Sequence, residues 1–206
     1  MSETAFFSLL LASQSPRRKQ LLESMGFPFR TVYPLAEEVF PEPGQAARVA
    51  LDNAVAKARS LVPEAAESEI ILGADTLVVL DDLAIGKPKD RDAARESLRT
   101  LSGKTHTVVS GVYLWSKKWG EKRGLAESRV TFRPLGDDEI ESYTALKEPY
   151  DKAGSYAVQG ASALFIDKIE GSFSNVMGLP MEMVIRLLAE LTRRSPFDLF
   201  EKNEKR

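Results

Sequence analysis

The chain has 206 residues, 43% of them hydrophobic and 28% charged, and its 28 basic and 30 acidic side chains leave a net charge of −2. That length supports one sizeable core or two lobes sharing a sheet, and without a global basic field any anion site has to be built locally, so nucleic acid is not an expected partner. Absent cysteine and a single histidine, His106, set aside disulfides, thiol nucleophiles, thiolate and His-cluster metal sites, and a Ser-His-Asp triad.

The first apolar run, Phe6–Ala12, is too short to span a bilayer and has no basic residues before it. It predicts an opening strand over Ser8–Ala12 in a cytoplasmic protein, with no membrane partner. Ser15, Pro16 and Gly26 then mark an N-cap, a first helical residue and a C-terminal stop. Arg17-Arg18-Lys19 in that first turn oppose the helix dipole, which a bound anion would relieve. Free N–H groups and guanidinium forks at a helix start form an anion-binding device.

A short strand is predicted over Phe29–Pro34, followed by the acidic pair Glu37-Glu38 in a proline-rich loop. The Ala-rich pattern from Gln45 to Leu61 is helical, with Lys57 near its end, where a cation complements the dipole.

Ile70–Leu80 is apolar enough to be a strand buried on both faces, at the centre of a sheet. Its middle, Gly73-Ala74-Asp75-Thr76, is unusual. A buried carboxylate is kept to cap a turn, or for a partner, a metal or a reaction. Gly73 and Ala74 leave room for something to approach the backbone. Asp81-Asp82 form a tight turn, and Lys87 sits between Gly86 and Pro88, a rigid presentation that suits a phosphate. Asp90 or Asp92 opens the next helix, to Leu101.

Thr105–Lys117 and Leu125–Arg133 are predicted strands, with His106 in a structural role, and a helix follows from Asp137 to about Leu146. The Gly-punctuated loop Glu148–Gly160 carries an acid, a base, hydroxyls and the amide Gln159. Ser162–Ile169 is a predicted strand, and a helix ends near Thr192. No repeat or composition break divides residues 1–195, and residues 196–206 form a charged tail. The order of elements argues α/β with a mixed, twisted central sheet flanked by helices.

A cationic helix start, lysines held near helix or loop ends, and a carboxylate on a buried strand fit a small phosphorylated ligand. Mg²⁺ shares itself between carboxylates and phosphates in such sites, and an Asp can take a proton from the attacking water. No P-loop, dinucleotide or serine-hydrolase motif is present.

Six pieces in order, Ser13-Gln14-Ser15-Pro16-Arg17-Arg18, Gly73-Ala74-Asp75-Thr76, Gly86-Lys87-Pro88, Ser102–His106, Asp151–Tyr156 and Gly178-Leu179-Pro180, resemble the Maf family of nucleoside triphosphate pyrophosphatases from about Leu9 to Leu191. The resemblance implies a fold like that of the inosine-triphosphate pyrophosphatases, two lobes around a deep cleft. It implies hydrolysis between the α- and β-phosphates with a divalent metal, Mg²⁺ or Mn²⁺, in a homodimer. On it, Asp75 is the proton acceptor, Lys57 and Lys87 bind phosphate, and Ser13, Ser15, Arg17 and Arg18 form the phosphate-facing loop. The metal falls to Asp75 with Glu37 or Glu38. Arg17, Thr76 and Gln159 match the branch acting on dTTP and UTP, and an amide with a guanidinium fits the edge of a pyrimidine. Gln14 departs from a common Gly. A nucleotide-binding regulator of cell division is the alternative, disfavoured because pure binding needs no water-activating Asp75.

Overall fold

The computed structural model describes residues 7–199. Among these, seven strands form one mixed sheet: β1 Ser8–Ala12, β2 Phe29–Val32, β3 Glu69–Leu80, β4 Leu83–Ile85, β5 Thr105–Ser116, β6 Gly120–Phe132 and β7 Ile166–Glu170. The order is β2-β1-β3-β5-β6-β7, with β4 also on β3. β1 runs parallel to β2 and β3, and the remaining pairs are antiparallel. The α/β class and the central place of β3 are as predicted.

Helices α1 Pro16–Ser24, α2 Ala46–Arg59, α3 Arg91–Leu101, α4 Asp137–Thr144, α5 Phe173–Met177 and α6 Met181–Thr192 cover the sheet. Side chains alternate along β3, so each of its faces feeds a different core. Ile71 and Leu77 pack with Ala46, Ala50, Ala54 and Ala58 of α2. Ile70, Leu72 and Ala74 pack on the other side with Leu21 and Leu22 of α1 and Val184, Leu187 and Leu188 of α6. Val78 and Leu80 join Leu98 and Leu101 of α3 and Ile140 and Tyr143 of α4.

The local signals act where expected. Ser15 caps α1 and Asp90 caps α3, each side chain accepting from a backbone N–H of the first turn. Asp81 and Asp82 both take positive φ, 49° and 66°, the geometry of a two-residue hairpin turn. That turn folds Leu83–Ile85 back on β3 as a strand the sequence pattern did not reveal.

Two expectations are corrected. Ser162–Ile169 is only half strand: Ala161–Phe165 is a 3-10 turn, and β7 begins at Ile166. Ser162 Oγ bonds Ala157 N–H, Ala157 O and Glu148 Oε1, so the side chain competes with the ladder. Past Pro196, Phe197–Leu199 forms a turn whose Leu199 is buried in the main core. The rest of the expected tail, 200–206, lies outside the described residues.

One topological detail positions the site. β5 occupies one edge of β3 from Ile71 to Val79. On the other edge β1 pairs only as far as Ala12↔Gly73, and β4 starts at Val78. Ala74–Leu77 therefore has no strand neighbour on that edge.

Candidate functional site

A cavity of about 620 Å³ lies at this gap, and its lining includes Ser13, Arg17, Glu38, Asp75, Lys87 and Asp151. Asp75 and Thr76, being consecutive in a strand, point to opposite faces of the sheet. Both reach the cavity because the edge between them is open.

Asp75 faces α2. A Cβ on Gly73 would lie 2.9 Å from Ala58 Cβ, and one on Gly111 would lie 2.5 Å from Leu51 Cα. The two glycines thus let α2 rest directly on the backbones of β3 and β5. What approaches Gly73 is a helix, where the sequence pattern had left the visitor open. This seating delivers two side chains one helical turn apart. Lys57 Nζ donates to Asp75 Oδ1 at 2.7 Å, and Asn53 Nδ2 donates to Asp75 Oδ2 at 2.9 Å. Asp75, Lys57 and Asn53 are all buried. A buried carboxylate tolerates desolvation only with such a charged, hydrogen-bonded partner.

Lys57 has a second carboxylate, Glu38 Oε1, also at 2.7 Å. The lysine that would complement a helix dipole from solvent is instead enclosed between two acids. Partial burial pushes the Glu38 carboxyl up. The Lys57 hydrogen bond and the charges of Lys57, Lys87 and Arg18 together outweigh it and hold the group below its ordinary value. Both glutamates are exposed, but Glu38 lines the cavity and Glu37 does not.

On the opposite face Thr76 Oγ1 meets Ser110 Oγ at 2.7 Å and donates to Gly178 O at 3.1 Å. Arg18 binds the same knot: Nε to Gly178 O at 2.8 Å, Nη2 to Thr76 Oγ1 at 3.4 Å, and Nη1 to Ser13 Oγ at 3.4 Å. Ser13 Oγ also accepts from Ser15 N–H at 3.1 Å. Arg18 and Thr76 therefore stitch the β1–α1 loop to β3 and to the α5–α6 turn. Burial lowers the Arg18 pKa, against the charges of Asp75 and Glu38.

Arg17 is less committed, with one ion pair to Asp151 at 3.3 Å. Lys87 is exposed on the lining and has no ion pair among the described residues. These two are the cations with most capacity left for a ligand. Gln159 is exposed and does not line the cavity.

Among the described residues no group of three or more His, Cys, Asp or Glu side chains forms a metal cage. The donor set that does converge is Glu38 with Asp75, two carboxylates already bridged by one cationic atom, Lys57 Nζ. Two carboxylates completed by substrate phosphates suit Mg²⁺ or Mn²⁺, hard cations that keep open positions. His106 is structural, as expected: it is buried, its Nε2 lies 2.7 Å from Tyr156 Oη, and Phe132 packs edge-on to its ring. Asn53 and Ser110 were missed. Asn53 carried a usable signal, its four-residue spacing from Lys57, whereas Ser110 is brought in by strand pairing alone.

A family model described as Maf-like protein matches residues 8–191. The dTTP/UTP pyrophosphatase of Bacillus cytotoxicus is 46% identical over 183 residues, covering 88% of this chain and 94% of that one. That of Methylococcus capsulatus is 47% identical over 190 residues, covering 89% and 90%. Among solved structures, a HAM1 protein from Coxiella burnetii aligns at 11% identity over 91% of this chain and 99% of its own, with a TM-score of 0.44.

Proposed function

The chain belongs to the Maf-like protein family, and we propose that it is a pyrophosphatase hydrolysing dTTP and UTP to the monophosphate and pyrophosphate. The observation that carries this reading is the convergence of Asp75, Glu38 and Lys57, with Arg17 and Lys87, on one cavity. Relatives named dTTP/UTP pyrophosphatase match it over most of their length.

The triphosphate enters beside Arg17 and Lys87, whose charges offset its own. Water's oxygen bonds to phosphorus at the α–β bridge as the bridging P–O bond breaks, and the water's proton passes to Asp75. Asp75 has room for it. Each carboxylate oxygen offers two lone pairs, and the resting contacts to Lys57 and Asn53 use one on each. Lys57 stabilises the charge that develops at the reacting phosphate. Glu38 and Asp75 would hold a divalent cation, which supplies Lewis-acid polarisation of a phosphoryl oxygen when bound. Arg18, Thr76 and Ser13 hold the loop in place around the substrate. Arg17 is the base-facing arginine in this reading, while the exposed Gln159 would have to move inward to serve the base. A cytoplasmic homodimer completes the reading, and sizing the purified protein tests it.

The deciding experiment measures pyrophosphate release from a nucleoside triphosphate panel with Mg²⁺ or Mn²⁺, for wild type and Asp75→Asn. Release confined to dTTP, UTP and their analogues is expected, with Asp75→Asn binding nucleotide but losing at least ~10²-fold in turnover. A flat panel, or an Asp75→Asn variant at full rate, removes the reading.

A further inference from the structure

The segment Pro34–Pro43 carries Glu38 to the cavity without any regular secondary structure. Its large apolar side chains anchor it weakly: Leu35, Val39 and Phe40 are 85%, 62% and 60% exposed, and only Pro34 and Pro41 are buried. Between those two prolines, the side-chain hydrogen bonds and the ion pair that hold it come from one face of α2. Asn53 Oδ1 accepts from Val39 N–H at 2.9 Å, and Asn53 Nδ2 donates to Val39 O at 2.9 Å. One side-chain amide thus imitates a strand partner for Val39. The second hydrogen of the same Nδ2 goes to Asp75 Oδ2. One turn further along, Lys57 Nζ bridges Glu38 and Asp75.

All three directional capacities of the Asn53 amide that this network calls on are filled, and its orientation is unique. A flipped amide would set Oδ1 against two acceptors and Nδ2 against a donor. The side chain is 4% exposed, so water cannot replace what it supplies.

We propose that Asn53 is a positioning residue that locks the Glu38-bearing segment to Asp75, setting where the two carboxylates stand relative to each other. Lys57 supplies charge to both acids, but its long stem leaves their spacing loose. The short amide, hydrogen-bonded to backbone, fixes it. The catalytic half of this inference rests on the pyrophosphatase reading, and the anchoring half does not.

Two variants and two readouts test it. Amide hydrogen exchange of full-length Asn53→Ala is expected to lose about tenfold or more in protection at Val39, with β3 and α2 protected as in wild type. Its turnover with Mg²⁺ is expected to fall roughly 10–10²-fold while KM stays within about threefold, the mark of a misplaced reacting group. Asn53→Asp is nearly isosteric and keeps the acceptor for Val39 N–H, but it sets its second oxygen against both Val39 O and Asp75 Oδ2. It is expected to lose part of the protection at Val39 and to lose turnover at least as severely. Unchanged protection at Val39 in Asn53→Ala overturns the anchoring, whether or not the protein releases pyrophosphate. A wild-type rate in either variant, or KM rising in step with a fixed kcat, overturns the positioning role. Loss of protection throughout β3 and α2 would make Asn53 a fold residue and also overturn it.

Discussion

Replacing Gly73 with Ala adds one methyl group where α2 touches β3. On chain entropy alone the change should help, since Gly73 has no positive φ and Gly→Ala at a compatible position stabilises by roughly 0.4–1 kcal/mol. Sterics decide otherwise. The new Cβ would stand 2.9 Å from Ala58 Cβ, and closer still to Ala54 O, whereas carbon pairs settle at about 3.5–4.0 Å. Neither neighbour is the free end of a flexible side chain, so α2 itself has to lift by roughly 1 Å. Overpacking of this kind costs about 1–3 kcal/mol, which outweighs the entropic gain. A net loss of about 1.3 kcal/mol lowers Tm by roughly 3–5 °C in a chain of this size.

The lift also stretches the 2.9 Å contact of the short Asn53 amide with Asp75 beyond hydrogen-bond range. Displacement of a catalytic group by ~1 Å can cost about 10²-fold in rate. Thermal melts and pyrophosphate release on the same preparation measure both. Gly111→Ala, under Ala50 and Leu51 of the same helix, should behave alike. The double variant should cost less than the sum, because a helix already lifted has cleared the second methyl. A Gly73→Ala protein with raised Tm and full activity would refute the seating of α2 on the strand.

The paired acids separate cleanly: Glu38→Gln should raise the divalent-cation concentration for half-maximal activity at least about tenfold, as loss of one of two carboxylates implies, while Glu37→Gln stays within about twofold in the same titration. His106 sets a pH dependence of stability. Burial pulls its pKa from 6.5 down to about 4, so between those values the unfolded chain holds a proton that the native one refuses. Stability is therefore lost as pH falls from 6.5 toward 4, by at most about 3 kcal/mol. Urea melts at pH 7 and pH 4.5 should show the loss in wild type and a flatter dependence in His106→Gln, and equal slopes would refute the assignment.

The amino-acid sequence by itself determined the features whose causes lie within a few residues. Ser15 and Pro16 start α1, Asp90 starts α3, and the apolar run around Asp75 is the central strand. It also marked Asp75 and Lys87 as chemically unusual, because a charge in an apolar strand or on a stiff loop is anomalous wherever the chain goes, whereas Lys57 read as an ordinary helix-end cation until the family resemblance singled it out. Motif order was enough to indicate the family. The choices left open all required distances between residues far apart in the chain. Glu38 is distinguished from Glu37 because only Glu38 reaches Lys57, 19 positions on. Gln159 lies outside the cavity, and Asn53 lies at its heart, 22 residues from Asp75. The strand Leu83–Ile85 and the turn at Ala161–Phe165 depended on a hairpin register and on Ser162 finding Ala157 and Glu148. Tertiary structure decided the Lys57 and Asn53 contacts because a helix can approach a sheet this closely only over Gly73 and Gly111. Those glycines come from different strands, and only the β3–β5 register, with Gly111 opposite Asp75 and Gly73 opposite Tyr113, sets both under α2.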